Sequence, residues 1–108
     1  MIHQFATRFS LLNYYIYATL GLHERNAYDL CQRIATDSVG QVTPTTATMH
    51  HALKGLMAAG TIEPAPSDNG QVPQYRLTTT GQRRLQTETK QLERALLLGR
   101  LAQTGRAV

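Results

Sequence analysis

The sequence is poor in cysteine and lacks several patterns, and each absence excludes a class of structure or function. It has one cysteine, Cys31, so no disulfide can form within the chain, and a reducing compartment such as the cytoplasm is expected. The uncharged stretch at residues 10–23 is too short and too polar to span a bilayer. The first ten residues lack the basic and then apolar order of a signal peptide.

Patterns that carry catalysis are also missing. The chain has no paired-carboxylate constellation, no Ser-His-Asp pattern and no phosphate-cradling glycine loop. His50 and His51 are adjacent, about 100° apart on a helix, whereas metal-binding pairs prefer a spacing of three or four residues. Cys31 falls on an apolar stripe, which favours a small core residue over a nucleophile. We therefore expect no enzyme activity, no metal site and no cofactor.

What remains is a small basic domain. Its 108 residues suffice for one modest core, and 42% of them are hydrophobic, as in a globular chain. Lys and Arg total 11 against 7 Asp and Glu, a formal net charge of +4. This balance favours a polyanionic partner.

Residues 43–62 predict one helix, with sequence signals for both its start and its end. Thr43 is a candidate N-cap, Pro44 suits the first helical position, and Gly60 suits a left-handed end. Apolar residues at three- and four-residue spacing give one face: Met49, Ala52, Leu53, Leu56 and Met57.

The other face of this predicted helix has hydroxyls, imidazoles and one amine, but no acidic side chain. Its members are Thr45, Thr46, Thr48, His50, His51 and Lys54. A solvated helix face normally mixes both charge signs, whereas these donors and acceptors suit phosphates and base edges. We interpret it as a DNA-recognition helix, and a neutral surface helix is the alternative.

Two helices are predicted before it. The first spans Gln4–Leu20, with an apolar stripe of Phe5, Phe9, Leu12, Ile16 and Leu20. Beside that stripe stand Tyr14, Tyr15 and Tyr17, which suit a core, a subunit interface or the lining for a planar ligand. The second helix is capped by Asn26 and ends near Asp37, before a turn at residues 38–41. This order is that of a helix-turn-helix unit.

A wing and a long helix are predicted to follow. Short strands at residues 61–63 and 72–77 flank the turn at 67–70, and Thr78 caps a last helix of more than twenty residues. Its leucines have no partner left in so small a domain, so part of the helix should pair with a second chain. The predicted fold is therefore mainly α with a small β-hairpin: a winged helix-turn-helix at residues 1–78 and a dimerisation helix at 79–108.

Three segments resemble a known family. YRLTTTG at residues 75–81, ALKGLMAAGTIE at 52–63 and AYDL at 27–30 are similar, in order and spacing, to the short subgroup of PadR-type winged-helix regulators. Three departures stand out: Ala27 replaces a usual glycine, His50 stands near a usual tyrosine, and the wing turn has no Lys or Arg before Arg76.

The resemblance implies a homodimer, built on the first and last helices, that represses by binding a palindromic operator. Some family members release DNA when an aromatic compound binds near the dimer interface, and Tyr14, Tyr15 and Tyr17 are the candidate effector pocket here. The predicted dimer contacts are Phe5, Phe9, Leu12, Leu85, Leu92 and Leu96.

The expected DNA contacts come from the helix and the wing. They are Thr45, Thr46, Thr48, His51, Lys54, Asn69, Gln71 and Arg76. Because the helix face has no arginine to read guanine, specificity is expected to depend partly on DNA shape. For Arg83 and Arg84 a solvated helix face is the favoured interpretation, and a contact with the DNA backbone is the alternative. The neutral wing turn and the arginine-free face also leave an alternative, a winged-helix module that binds protein without DNA.

Overall fold

The structure is a computed structural model that describes residues 9–66 and 72–105. The helices within these ranges are α1 (Leu11–Leu22), α2 (Ala27–Asp37), α3 (Thr46–Ala58) and α4 (Thr79–Thr104). The strands are β1 (Arg25–Asn26), β2 (Ile62–Ala65) and β3 (Gln74–Leu77), which form an antiparallel sheet in the order β1-β3-β2. The architecture confirms the predicted mainly helical winged fold.

One hydrophobic core joins the first three helices to the sheet. The apolar stripe predicted for α3 lies in this core. The stripe predicted for α1 holds only in part, because Tyr17, expected beside it, is buried, whereas Phe9 is half exposed. The fully buried members are Ile16, Tyr17 and Leu20 of α1, Leu30 and Ile34 of α2, Met49, Leu53 and Leu56 of α3, and Ile62 of β2. Leu77 and Leu85 pack against this cluster and bring β3 and the start of α4 onto it.

Side-chain caps set where three helices begin. Asn26 and Thr78 cap α2 and α4 as predicted, through bonds from the backbone N–H groups of Asp29 and Gly81. The start of α3 was predicted wrongly, because Thr45 rather than Thr43 accepts the bond that opens the helix, from the Thr48 N–H.

The first helix is also shorter than predicted. Ser10 has extended backbone angles, and its hydroxyl accepts a hydrogen bond from the Asn13 N–H at 3.1 Å. The helix therefore starts at Leu11 rather than at Gln4, and Phe5 lies outside the described residues.

The sheet has a third strand that the sequence did not indicate. Arg25 and Asn26, expected to lie in a polar link or to cap a helix, pair with Tyr75 and Gln74 of β3. The predicted hairpin of β2 and β3 thus supplies two strands of a three-stranded sheet, with β3 in the centre. Its turn, with Asn69 and Gln71, lies outside the described residues.

The buried residue Thr61 joins α3, α1 and α4. Its hydroxyl donates to the Leu56 carbonyl and accepts from the Tyr17 hydroxyl, and its carbonyl accepts from the Thr78 N–H. Gly81 packs so closely here that a Cβ on it would collide with the Thr61 carbonyl oxygen. The start of α4 is therefore fixed against the end of α3.

The far half of α4 extends beyond this core. Leu96, Leu97, Leu98 and Leu101 are each more than half exposed. Among the described residues, no helix combines the length and apolarity needed to cross a membrane.

Candidate nucleic-acid interface

The α3 helix presents its polar face outward, as predicted. The side chains of Thr45, Thr46, Thr48, His50, His51 and Lys54 are all exposed. Met49, Leu53 and Leu56 are buried on the opposite side and hold the helix against the core. The helix is thus two-faced, and its polar face is free to meet a partner.

The centre of that face is a narrow stripe with small residues at both ends. Ala47, His51, Lys54 and Ala58 follow one another at four-, three- and four-residue spacing, and all are exposed. The alanines, which the sequence analysis did not single out, leave room for a large partner to approach. His51 and Lys54 are the two polar side chains of this stripe.

Hydroxyl groups line the start of the helix. The Thr45 hydroxyl accepts from the Thr48 N–H at 3.1 Å and donates to the Thr48 hydroxyl at 3.0 Å. Thr46, His51 and Lys54 form no hydrogen bond or ion pair with any residue that the structure describes. Their polar groups remain available to a ligand.

Arg76 has protein partners of its own. Its Nε donates to Glu63 Oε2 at 2.9 Å, and its Nη1 lies 4.0 Å from Glu24 Oε2. Arg76 also lines a different groove from the one in which Tyr75 meets Thr46 and His50, as expected for neighbouring residues of a strand. The structure therefore does not bring Arg76 together with the polar face of α3, and its role as a DNA contact stays a prediction.

Cys31 is partly buried and packs against the core, as predicted. Burial raises the pKa of its thiol, which disfavours the reactive thiolate. The thiol lines a small cleft of about 230 Å³ between α2, α3 and β3, together with His50 and Tyr75.

The three tyrosines of α1 point in different directions instead of forming one pocket. Tyr17 is buried and bonds to Thr61, while Tyr15 packs against the core. Tyr14 alone lines an open groove along α4, about 820 Å³ in volume, and its hydroxyl lies 2.7 Å from the Thr89 hydroxyl. The predicted lining for a planar ligand is thus reduced to Tyr14.

The residues predicted to form the dimer interface fall into two groups. Leu12 and Leu85 pack against the core of their own chain. Leu92 and Leu96 line the Tyr14 groove, and Phe9 is half exposed beside Tyr14, with ring centroids 6.3 Å apart. Leu97, Leu98 and Leu101 are exposed as well, but they do not line this groove.

In the described part of the chain, no three His, Cys, Asp or Glu side chains lie close enough together to hold a metal ion. His3 lies outside that part.

Several solved structures share this architecture, whereas no protein-family model and no curated protein matches the sequence. The protein smu.1704 from Streptococcus mutans superposes with a TM-score of 0.76 at 25% identity, over 91% of each chain. A PadR family transcription regulator from Clostridium difficile gives a TM-score of 0.66 at 20% identity, over 90% of this chain and all (100%) of that one.

A third structure contains DNA. Bacillus subtilis PadR in complex with operator DNA gives a TM-score of 0.66 at 22% identity, over 74% of this chain and 47% of that chain. The two structures named as PadR proteins are therefore regulators that share the fold of this chain.

Proposed function

We propose that this chain, which has the fold of PadR-type winged-helix regulators, is a DNA-binding transcriptional regulator that acts as a homodimer in the cytoplasm. The observation that carries the proposal is the exposed, acid-free face of α3, at the recognition-helix position of that fold. Such a protein acts by binding, and we assign it no catalytic step. Repression of a target gene is the outcome that the resemblance favours.

The dimer would form through α1 and α4. Leu92 and Leu96 line the groove beside Tyr14, and the exposed leucines Leu97, Leu98 and Leu101 add further apolar area on α4. Leucine side chains left in water on one helix are normally covered by another helix. A two-fold dimer presents two copies of α3, and these fit two half-sites of a palindromic operator.

Each polar residue of α3 has a role that follows from its position. Thr45 and Thr46 lie beside the free backbone N–H groups of the first turn, where a phosphate binds well. Lys54 supplies a phosphate contact, while Thr48 and His51 face base edges. With no arginine on this face, base readout is supplemented by the shape of the DNA.

Salt dependence tests the proposal. For about 6–10 phosphate contacts per dimer, affinity for duplex DNA should fall by roughly 10³–10⁵ between 50 and 200 mM salt. Sites selected from random duplexes should be two-fold symmetric. A flat salt response, measured by fluorescence anisotropy on labelled DNA, would contradict DNA binding.

Two substitutions separate backbone contacts from base contacts. Lys54→Ala should weaken binding to every sequence alike, because a phosphate contact carries no sequence information. His51→Ala and Thr48→Ala should change which bases are preferred at the selected site. Equal losses on all sequences for the three variants would remove His51 and Thr48 from base readout.

An aromatic effector is part of the proposal, and Tyr14 is the residue that supports it. Tyr14 lines the groove along α4 next to the surface assigned to the dimer. A phenolic ligand in that groove should quench tyrosine fluorescence, with no tryptophan to interfere. Tyr14→Phe should reduce the quenching if the ligand bonds the hydroxyl.

The rival function is a winged-helix module that binds protein without DNA. It is favoured by Arg76, whose pairing with Glu63 and Glu24 offsets the positive charge of β3. The same titration decides between the two functions, since a protein-binding module should show no steep salt dependence on DNA.

A further inference from the structure

Arg84 lies beside the polar edge of α3, whereas the sequence favoured a solvated helix face for it and left a contact with the DNA backbone as the alternative. Its side chain lines a groove of about 610 Å³ together with Thr48, His51 and Gly55 of α3 and Asn13 of α1. Arg83, its neighbour in sequence, is exposed and does not line this groove. The two arginines therefore have different surroundings.

The shape of the groove admits a bulky partner. Its floor on α3 is made of small residues at helical spacing, namely Ala52, Gly55 and Ala59. Nothing lies within 4 Å of the place where a Cβ on Gly55 would be. A partner can therefore come close to the backbone of α3 at this edge.

The charge of the groove is positive. None of its lining residues is acidic, and Arg84 supplies a guanidinium on a side chain that is 42% exposed. The ion-pair partner of Arg84 is Glu88, with Arg84 Nη1 3.8 Å from Glu88 Oε2, which is longer than a hydrogen bond. The N–H donors of Arg84 are thus only weakly engaged.

We infer that Arg84 binds a phosphate of the DNA backbone, at the edge of the α3 footprint that faces α1. The inference rests on the proposed function, because Thr48 and His51 belong both to this groove and to the face assigned to DNA. A guanidinium holds a phosphate through two parallel N–H bonds, and the Asn13 amide and the Thr48 hydroxyl stand in the same groove as further donors. Arg84 extends the contact surface from α3 onto the first turns of α4.

The salt slope tests this contact. Wild-type protein, Arg84→Ala and the matched control Arg83→Ala are titrated with one labelled duplex between 50 and 200 mM salt. Loss of one phosphate contact per protomer should lower the slope of log K against log salt by about 1.8 per dimer. The deficit of Arg84→Ala should then be about twelvefold larger at 50 mM than at 200 mM salt. Arg83→Ala should keep the wild-type slope.

A second pair of variants tests the same contact without removing the arginine. Glu88→Gln releases Arg84 from its ion pair and should strengthen DNA binding. Glu93→Gln makes the same charge change farther along α4, outside this groove but in the lining of the Tyr14 groove, so light scattering must show that the variant keeps the wild-type mass. Glu93→Gln controls for the change in net charge, so Glu88→Gln should bind DNA more tightly than Glu93→Gln.

The outcomes are distinct. A reduced slope for Arg84→Ala alone, together with a gain for Glu88→Gln over Glu93→Gln, supports the phosphate contact. Equal slopes for Arg84→Ala and Arg83→Ala overturn it, as does equal affinity for the two glutamine variants if Arg84→Ala fails to fold. If the wild-type protein shows no salt-dependent binding, the proposed function itself fails, and that result is visible before any variant is compared.

Discussion

At the scale of single residues, Thr61 and Gly81 form a close contact between the segment that follows α3 and the first turn of α4. Thr61 is fully buried, yet its hydroxyl both donates and accepts a hydrogen bond. The backbone of α4 lies against its carbonyl at a distance that only a glycine permits. The contact needs no charge, since close packing and hydrogen bonds together make this junction specific.

The substitution Gly81→Ala should destabilise the fold by roughly 2–4 kcal/mol, because the new methyl group meets backbone rather than a flexible side chain. Gly55→Ala is the matched control. It has open space around it and should raise the free energy of unfolding by about 0.5–1 kcal/mol through helix propensity. Urea denaturation measures both changes. A Gly81→Ala variant as stable as the wild type would show that α4 can move off Thr61.

Gly81 also marks a limit of prediction from sequence. Its place in the first turn of a helix made it look merely tolerable, since nothing local demands a glycine there. The demand comes from Thr61, twenty residues earlier, and a contact of that separation leaves no local pattern. Arg84 is similar, because only the packing of α4 on α1 and α3 distinguishes it from Arg83.

At the scale of elements, local signals fixed the helices, and long-range pairing decided the rest. The capping residues Asn26 and Thr78 and the apolar stripes were readable because each depends on neighbours within one helical turn. Strand β1 could not be predicted from the sequence, since its two residues are too few to show an alternation of polar and apolar side chains. They also pair with a strand almost fifty residues away. Thr43 and Thr45 are both plausible caps from local sequence, and the structure has Thr45 as the cap.

Within α4, Glu88 carries a buried charge that should make stability depend on pH. Its side chain is 13% exposed, its Oε1 has no partner among the described residues, and burial raises the pKa of its carboxyl while Arg84 opposes the rise. The folded chain therefore keeps the proton to higher pH than the unfolded chain. The free energy of unfolding should fall as pH rises through the interval above the ordinary value of 4.5.

The substitution Glu88→Gln should remove this dependence. The variant should be more stable than the wild type at pH 7 and should lose that advantage at pH 4, where the wild-type carboxyl is protonated in both states. Urea unfolding at the two pH values measures the effect, with the exposed Glu93→Gln as control. An advantage of equal size at both pH values would mean that packing, and not charge, is what changed.

At the scale of the whole molecule, the exposed leucines of α4 predict the assembly. Light scattering at micromolar concentration should give twice the chain mass of 12.0 kDa. Leu96→Glu, which places a charge in the surface assigned to the partner, should shift the particle towards a monomer. Leu22→Glu, at the exposed end of α1, should not. A wild-type particle of single-chain mass would remove the dimer from the proposed function.

The close fit at Thr61 has a mechanical consequence. Because α3 is fastened to the first turn of α4, the two helices should turn together, and the 26 residues of α4 form a lever arm of about 39 Å. If the far end of α4 is held in the proposed dimer contact, a rotation of about 5° there displaces the other end of the helix, and α3 with it, by about 3.4 Å, the rise of one base pair. A small change at the dimer contact would thus be enough to shift both copies of α3 out of register with the two half-sites of the duplex.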